Sequence, residues 1–386
     1  MSSRDAVIVA AKRSAVGVGK PDKGIFSGMH SVNLSAHVLR ALVDETGIDP
    51  AEIEDVVWGC VSQVGEQSFN VGRNAVLAAG LPESIPGTTV DRQCGSSQQA
   101  IHAAAAQIIA GHADVVVAGG VEVMSRTPMF SNTEGGDGPF GPMMKERYPN
   151  LVNQGVSAEM IAEKWGLSRT YLDELAVESH RRAADATERG LFDREIVGIE
   201  TAAGTVTKDP GIRPNSTVEK LAELPNPFKD NGVVTAGNAS QISDGAAALM
   251  VMSGDKAKDL GLTPIARVHS VAVVGDDPIM MLTAPIPATQ KVLDRAGLTI
   301  EEIGVTEINE AFASVVGAWF QETGADPEKV NPRGGAMALG HPLGGSGARL
   351  ATTLLHTMQD TGARYGLQTM CEGGGMANAT IFELLN

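Results

Sequence analysis

Hydrophobic and polar positions fall into two kinds of run along this chain. Ala6-Val7-Ile8-Val9-Ala10-Ala11, Asp55-Val56-Val57-Trp58-Gly59-Cys60 and Asp114-Val115-Val116-Val117-Ala118 are short, apolar on both faces and rich in β-branched residues. That is the pattern of strands buried on both sides. Gly304-Val305-Thr306-Glu307-Ile308-Asn309 and Leu367-Gln368-Thr369-Met370-Cys371 are of the same kind. Stretches with helical spacing separate them. Ser96 to Ala110 is apolar on nearly every side, through Ala100, Ile101, Ala104, Ala105, Ile108 and their neighbours. A helix without a polar face is a buried helix. Short strands alternating with helices predict an α/β fold with a parallel sheet covered on both faces.

The order of parts repeats. A strand ends at Cys60, a helix and loop lead to Cys94, a buried helix follows, and a strand ends in Ala118-Gly119-Gly120. In the second half a strand ends at Asn309, a helix and loop lead to His341, a helix over 347–360 follows, and a strand ends at Cys371-Glu372-Gly373-Gly374-Gly375. Cys60 and Cys94 stand 34 positions apart, Asn309 and His341 32. This order predicts a duplicated α/β unit. Residues 1–120, completed by about 244–265, form one half, and 266–386 the other. Residues 121–243 form a loop-rich insertion with two helices, Ala158 to Trp165 and Ser168 to Arg189, the latter ended by Gly190. Lys208, Arg213, Lys220 and Lys229 make the later part of this insertion basic. It reads either as a lid for an anionic ligand or as a solvated surface loop.

Length and charge narrow the function classes. A chain of 386 residues is too long for one ordinary core. A net charge of −16 argues against a general binder of nucleic acid or anionic membrane, though a local basic cluster can still hold one polyanionic small ligand. No apolar run reaches membrane-spanning length, and the first apolar run is read as a strand rather than a signal. The three cysteines, at 60, 94 and 371, make neither a disulfide framework nor a metal pair, so a reducing, cytoplasmic setting is expected.

Cys94 lies in Asp91-Arg92-Gln93-Cys94-Gly95-Ser96-Ser97-Gln98-Gln99, where a short strand over 88–90 turns into the buried helix. By itself it reads as inert packing or as a nucleophile. A thiol is only about 3% ionised at pH 7 when its pKa is about 8.5, and a helix start is expected to raise that fraction. Three other segments have Gly-rich surroundings that let backbone approach a ligand: Asn309-Glu310-Ala311-Phe312, Gly340-His341-Pro342, and Cys371 before its glycines. Asn309 also reads as a plain helix cap, and Cys60 as structural.

In this order over the full length, with Thr235-Ala236-Gly237-Asn238-Ala239-Ser240 between them, these motifs resemble the thiolase family. The resemblance implies two βαβαβαββ halves in a five-layered αβαβα core, with the insertion binding coenzyme A. It implies acyl transfer between 3-oxoacyl-CoA, CoA and acetyl-CoA through an acyl-Cys94 thioester. His341 would take the proton of Cys94, its imidazole poised near neutral pH, and Cys371 would be the second acid/base. The amides of Cys94 and Gly373 would form one oxyanion hole, and His341 with a water on Asn309 the other. Arg213, Lys220, Phe228, Ala236, Ser240 and Phe312 would contact CoA, which enters as substrate. No metal and no permanently bound cofactor are implied; a homodimer or homotetramer is. A ketoacyl-synthase-like condensing enzyme lacks the second cysteine, and a non-catalytic acyl-CoA carrier tends to lose a catalytic Cys or His. Asn153-Gln154-Gly155 stands where the acetoacetyl-type family has His-Met-Gly, and Ser97, Gln98 and Gln99 are unusual too. These departures predict a more polar or roomier acyl pocket, nearer to thiolases of sterol or other degradative pathways.

Overall fold

A computed structural model describes residues 4–385; residues 1–3 and 386, the outermost ends of the two halves, lie outside the described residues. The first half runs β1 (Ala6–Arg13), α1 (Ser31–Thr46), β2 (Asp55–Gly59), α2 (Val71–Ala78), β3 (Thr88–Val90), α3 (Ser96–Ala110), β4 (Val115–Val123). The insertion contains α4 (Gln154–Lys164) and α5 (Arg169–Glu188), and β5 (Ser243–Ser253) completes the half. The second half runs β6 (Ala266–Gly275), α6 (Pro285–Ala296), β7 (Val305–Ile308), α7 (Ala313–Thr323), α8 (Ser346–Thr361), β8 (Tyr365–Glu372) and β9 (Met376–Leu384).

The duplication is visible in the sheet. The first half has the order β3-β2-β4-β5-β1, with the first two pairings parallel and the last two antiparallel. The second has β7-β8-β9-β6, parallel then antiparallel twice, and Thr306 of β7 forms a parallel bridge to Val330 where the counterpart of β3 belongs. The halves meet where Val7 and Ile8 of β1 pair antiparallel with Arg267 and Ala266 of β6. Both halves therefore share one βαβαβαββ plan and strand order, with the third strand of the second half reduced to that single bridge.

Five layers follow from what each face buries. α1 and α2 pack outside the first half, on Val56, Trp58, Val115 and Val117. α6 and α7 pack outside the second half, on Ile308, Leu367 and Ile381. α3 and α8 fill the middle, with Ile101, Ile108, Leu354 and Met358 in one cluster. This central place explains why α3 has no polar face. The two helices touch closely at Gly347, where a Cβ would lie 2.2 Å from the Gln98 amide nitrogen. No described helix is long and apolar enough to cross a membrane.

The first boundary of the insertion lies later than expected. β4 continues through Val121, Glu122 and Val123, all buried, because the strand stays covered on both faces. α4 starts earlier than expected, at Gln154, because the Asn153 side chain accepts from Val156 N and caps it. Ser168 caps α5, and Gly190 follows with φ +68°. Arg13, fully buried at the end of β1, ties the insertion down. It pairs with Glu195 at 2.6 Å and with Asp209 through two bonds of 2.9 and 3.0 Å.

Candidate active site

The loop between β3 and α3 is shaped by its own side chains. Asp91 accepts from the Gln93 amide at 2.7 Å, and Ser96 Oγ accepts from Arg92 N at 2.9 Å while donating to Gln93 O at 2.6 Å. Gln93 takes φ +49°, which turns the chain so that Cys94 points inward. The helix cap is Gly95, so Cys94 stands just outside α3, 6% exposed. It packs on Val61, Met124, Leu343 and Met370. Leu343 lies two residues after His341 and Met370 one before Cys371, so the halves converge on this thiol.

The expected ionisation of Cys94 is not found in the resting site. Burial pushes its thiol up to about 12, with Glu372 and Glu122 adding to the rise; the amides of Cys94 and Gly373 face the sulfur and pull the other way. Desolvation outweighs the helix start because the site is closed to water. Alkylation of Cys94 by iodoacetamide, located by mass spectrometry, is therefore expected to quicken about tenfold per pH unit from 7 to 9. A plateau with its midpoint below pH 7 would contradict a neutral resting thiol.

His341 is held from both sides. Its amide donates to Gln241 O at 3.1 Å and Ser243 Oγ at 3.0 Å. Nδ1 lies 2.6 Å from Ser346 Oγ, whose own proton goes to Pro342 O at 2.8 Å. Ser346 therefore accepts, Nδ1 carries the hydrogen, and the Nε2 lone pair is left as a base. Asn309 Nδ2 points at Nε2 from 3.4 Å, and the Asn309 amide donates to Thr369 O at 3.0 Å. Burial, then the Arg349 cation, pushes the imidazole down to about 3, rather than leaving it near neutrality as expected. At neutral pH it is an uncharged base.

Cys371 is fully buried at the end of β8, its thiol pushed well up by burial, then by Cys94 and Glu372. It shares a cluster with Ala158, Leu282, Ala311 and Phe312, against which Phe228 and Ala239 pack. The rings of Phe228 and Phe312 meet edge to face at 6.4 Å, and Ser240 N donates to Ala311 O at 2.9 Å. Phe228, Phe312 and Ser240 thus border the Cys371 side. Gly155 is what lets Phe228 in: a Cβ there would lie 2.2 Å from the ring. Ala236 sits exposed on the neighbouring turn. Arg213 lies on an exposed loop, its amide bonded to His180, and Lys220 is exposed on the short helix Val218–Ala222, its ammonium bonded to Asn215 O. Lys229 is spent on Glu163 at 2.8 Å.

Other expectations need correction. Ser97 and Gln98 face away from the acyl side. Ser97 Oγ accepts from Ala348 N at 2.9 Å, and Gln98 donates to Thr380 Oγ1 at 2.7 Å. They join α3 to the second half, as polar groups in a central layer must find partners there. Sequence reasoning also passed over Glu122. Its carboxylate accepts from the amides of Val61, Ser62 and Gly344 at 3.0, 3.0 and 2.8 Å and from Gln67 at 2.6 Å. It clamps the loops behind Cys94 and His341. The signal was a lone acid inside an apolar strand.

The description "Thiolase, N-terminal domain" matches residues 6–255, and "Thiolase, C-terminal domain" residues 262–384. The chain is 49% identical to a steroid 3-ketoacyl-CoA thiolase of Mycobacterium tuberculosis, over 99% of this chain and 94% of that one. It is 47% identical to a 3-ketoacyl-CoA thiolase of Aeromonas salmonicida, over 98% and 99%. The crystal structure of an acetyl-CoA acetyltransferase from Bacillus anthracis superposes with a TM-score of 0.90 at 38% identity, covering 99% of each chain. Two domain matches in sequence order, a shared fold and near-full-length likeness lead to one conclusion: the chain belongs to the thiolase family.

Proposed function

We propose that the protein is a degradative 3-ketoacyl-CoA thiolase. It cleaves 3-oxoacyl-CoA with CoA, and runs the reverse Claisen condensation with acetyl-CoA, through an acyl-Cys94 thioester. The observation that carries this is the opposed pair of thiols, Cys94 under two inward amides and Cys371 against the apolar wall of Phe228 and Phe312.

The proton inventory sets the order of steps. His341 Nε2 takes the Cys94 proton as the sulfur attacks the 3-carbonyl of the substrate. The thiolate is consumed as it forms, and the charge passes to the carbonyl oxygen before the amides of Cys94 and Gly373. The bond between C2 and C3 breaks, the acyl group stays on Cys94, and the leaving acetyl-CoA enolate takes a proton from Cys371. Its oxygen is stabilised by the His341 imidazolium, whose Nε2–H now donates, with Asn309 beside it. Incoming CoA returns a proton to Cys371 and attacks the thioester. Cys94 leaves and recovers its proton from His341, so no proton is gained or lost over the cycle.

The relatives named 3-ketoacyl-CoA thiolase are nearer in identity than the acetyl-CoA acetyltransferase, which favours substrates longer than acetoacetyl-CoA. Arg213 and Lys220 supply charge for CoA phosphates, while Ala236, Ser240, Phe228 and Phe312 border its pantetheine arm. The edge strand β3 and exposed Phe69 and Val64 favour self-association, and three free buried cysteines fit a cytoplasmic setting. Thiolysis of 3-oxoacyl-CoA of graded chain length, followed at the enolate absorbance, tests the reading. Turnover rising from acetoacetyl-CoA to longer or sterol-derived chains is expected. Activity on acetoacetyl-CoA alone overturns the substrate class, and none on any chain overturns the reaction.

A further inference from the structure

Glu372 stands between Cys371 and Gly373, fully buried, and neither carboxyl oxygen has a hydrogen-bond partner. Alternation along β8 sends its side chain to the face opposite Cys371, toward the start of α3. There it meets Gly95. A Cβ on residue 95 would lie 2.0 Å from Glu372 Oε1 and 2.9 Å from Asn378 Nδ2, and Asn378 Nδ2 donates to Gly95 O at 3.1 Å. Two side chains of the second half thus grip the residue after Cys94. The two amides that face the Cys94 sulfur come from different halves, Cys94 from one and Gly373 from the other. An oxyanion hole works only if its donors stay about 2.7–3.1 Å from the developing charge. Nothing within either half alone fixes that spacing.

Resting on the thiolase reading, we infer that Glu372, assisted by Asn378, is a positioning residue that locks the Cys94 and Gly373 amides into one oxyanion hole across the join of the two halves. The wedge must also be uncharged, since a carboxylate beneath a growing oxyanion opposes it. The charged and titratable groups around it are Arg92 and Asp91 on the loop before α3 and the thiols of Cys94 and Cys371. The adjacent part of β9 presents Met376 and Asn378, and the first turn of α3 holds only Ser and Gln side chains. Burial pushes the Glu372 carboxyl up to about 8, against the pull of Arg92 and with a push from Asp91. At neutral pH it keeps its proton. As pH rises through 8 it ionises, and activity falls.

Thiolysis kinetics and amide hydrogen exchange on the full-length protein test this. For Glu372→Ala, kcat is expected to drop about 10- to 100-fold with KM nearly unchanged, a partial loss of one hole donor. Exchange over residues 93–97 and 372–375 should quicken. Glu372→Gln keeps the shape without the charge; it should restore kcat and exchange at pH 7 and lose the decline above pH 8. Wild-type kcat and exchange in Glu372→Ala, or a Glu372→Gln that restores neither, overturns the inference. A wild-type protein without thiolysis overturns the thiolase reading instead, and the exchange comparison still decides whether Glu372 ties the two segments.

Discussion

Cys94→Ala is expected to lose thiolysis by at least about 10⁴-fold, because every bond change in the proposed cycle passes through that sulfur and only binding and the oxyanion donors remain. Cys371→Ala should fail as completely in turnover and yet keep the first half of the chemistry. Incubated with acetyl-CoA, it should gain one acetyl group on Cys94, since attack on the thioester needs only the sulfur, His341 Nε2 and the two amides. CoA leaves with the proton that His341 took. The next step then stops, as no group removes the α-proton of a second acetyl-CoA. Intact mass and peptide mapping read the two outcomes. Turnover in Cys94→Ala, or no adduct in Cys371→Ala, would sink the division of labour between the thiols.

Glu122→Ala is expected to cost about 3–5 kcal/mol of stability, because it strips one buried acceptor from four neutral donors at once. The amides of Val61, Ser62 and Gly344 would be left in a dry interior, each unpaired donor costing about 1–3 kcal/mol when added singly. Val61 belongs to the first half and packs on Cys94; Gly344 belongs to the second and follows His341 by three residues. Loosening that joint by 1 Å is enough for about a 10²-fold loss of kcat. Glu122→Gln should fall between, since its amide group keeps one acceptor and turns a donor toward a backbone donor. Urea unfolding and kcat, measured on the same samples, give the test. Wild-type values for both in Glu122→Ala would show that the clamp is idle.

Much of this was legible because the signals are local. Val115–Val117 and Val305–Ile308 read as strands buried on both faces, and the apolar run of α3 from Ala100 onward announces a central layer. The repeat in order of parts was readable too, and the common strand order of the halves bears it out. What misled was any inference from a residue's neighbours to its surroundings. Ser97 and Gln98 adjoin Cys94 in sequence, yet a helix turns successive side chains by about 100°, so they point to α8 and β9 instead of to the acyl group.

The sequence by itself determined the α/β layers and the duplicated order of parts, because short-range patterning suffices for those, and the resemblance of the motifs around Cys94, Asn309, His341 and Cys371 supplied the family. Only the tertiary structure decided the protonation of the site. Both thiols and the imidazole sit uncharged at neutral pH, since ionisation depends first on water removed from all sides and, for His341, on the Arg349 cation brought beside it by the fold. It also placed two acids at the join of the halves, Glu122 accepting from Gly344 N and Glu372 lying against Gly95, where no local pattern reaches.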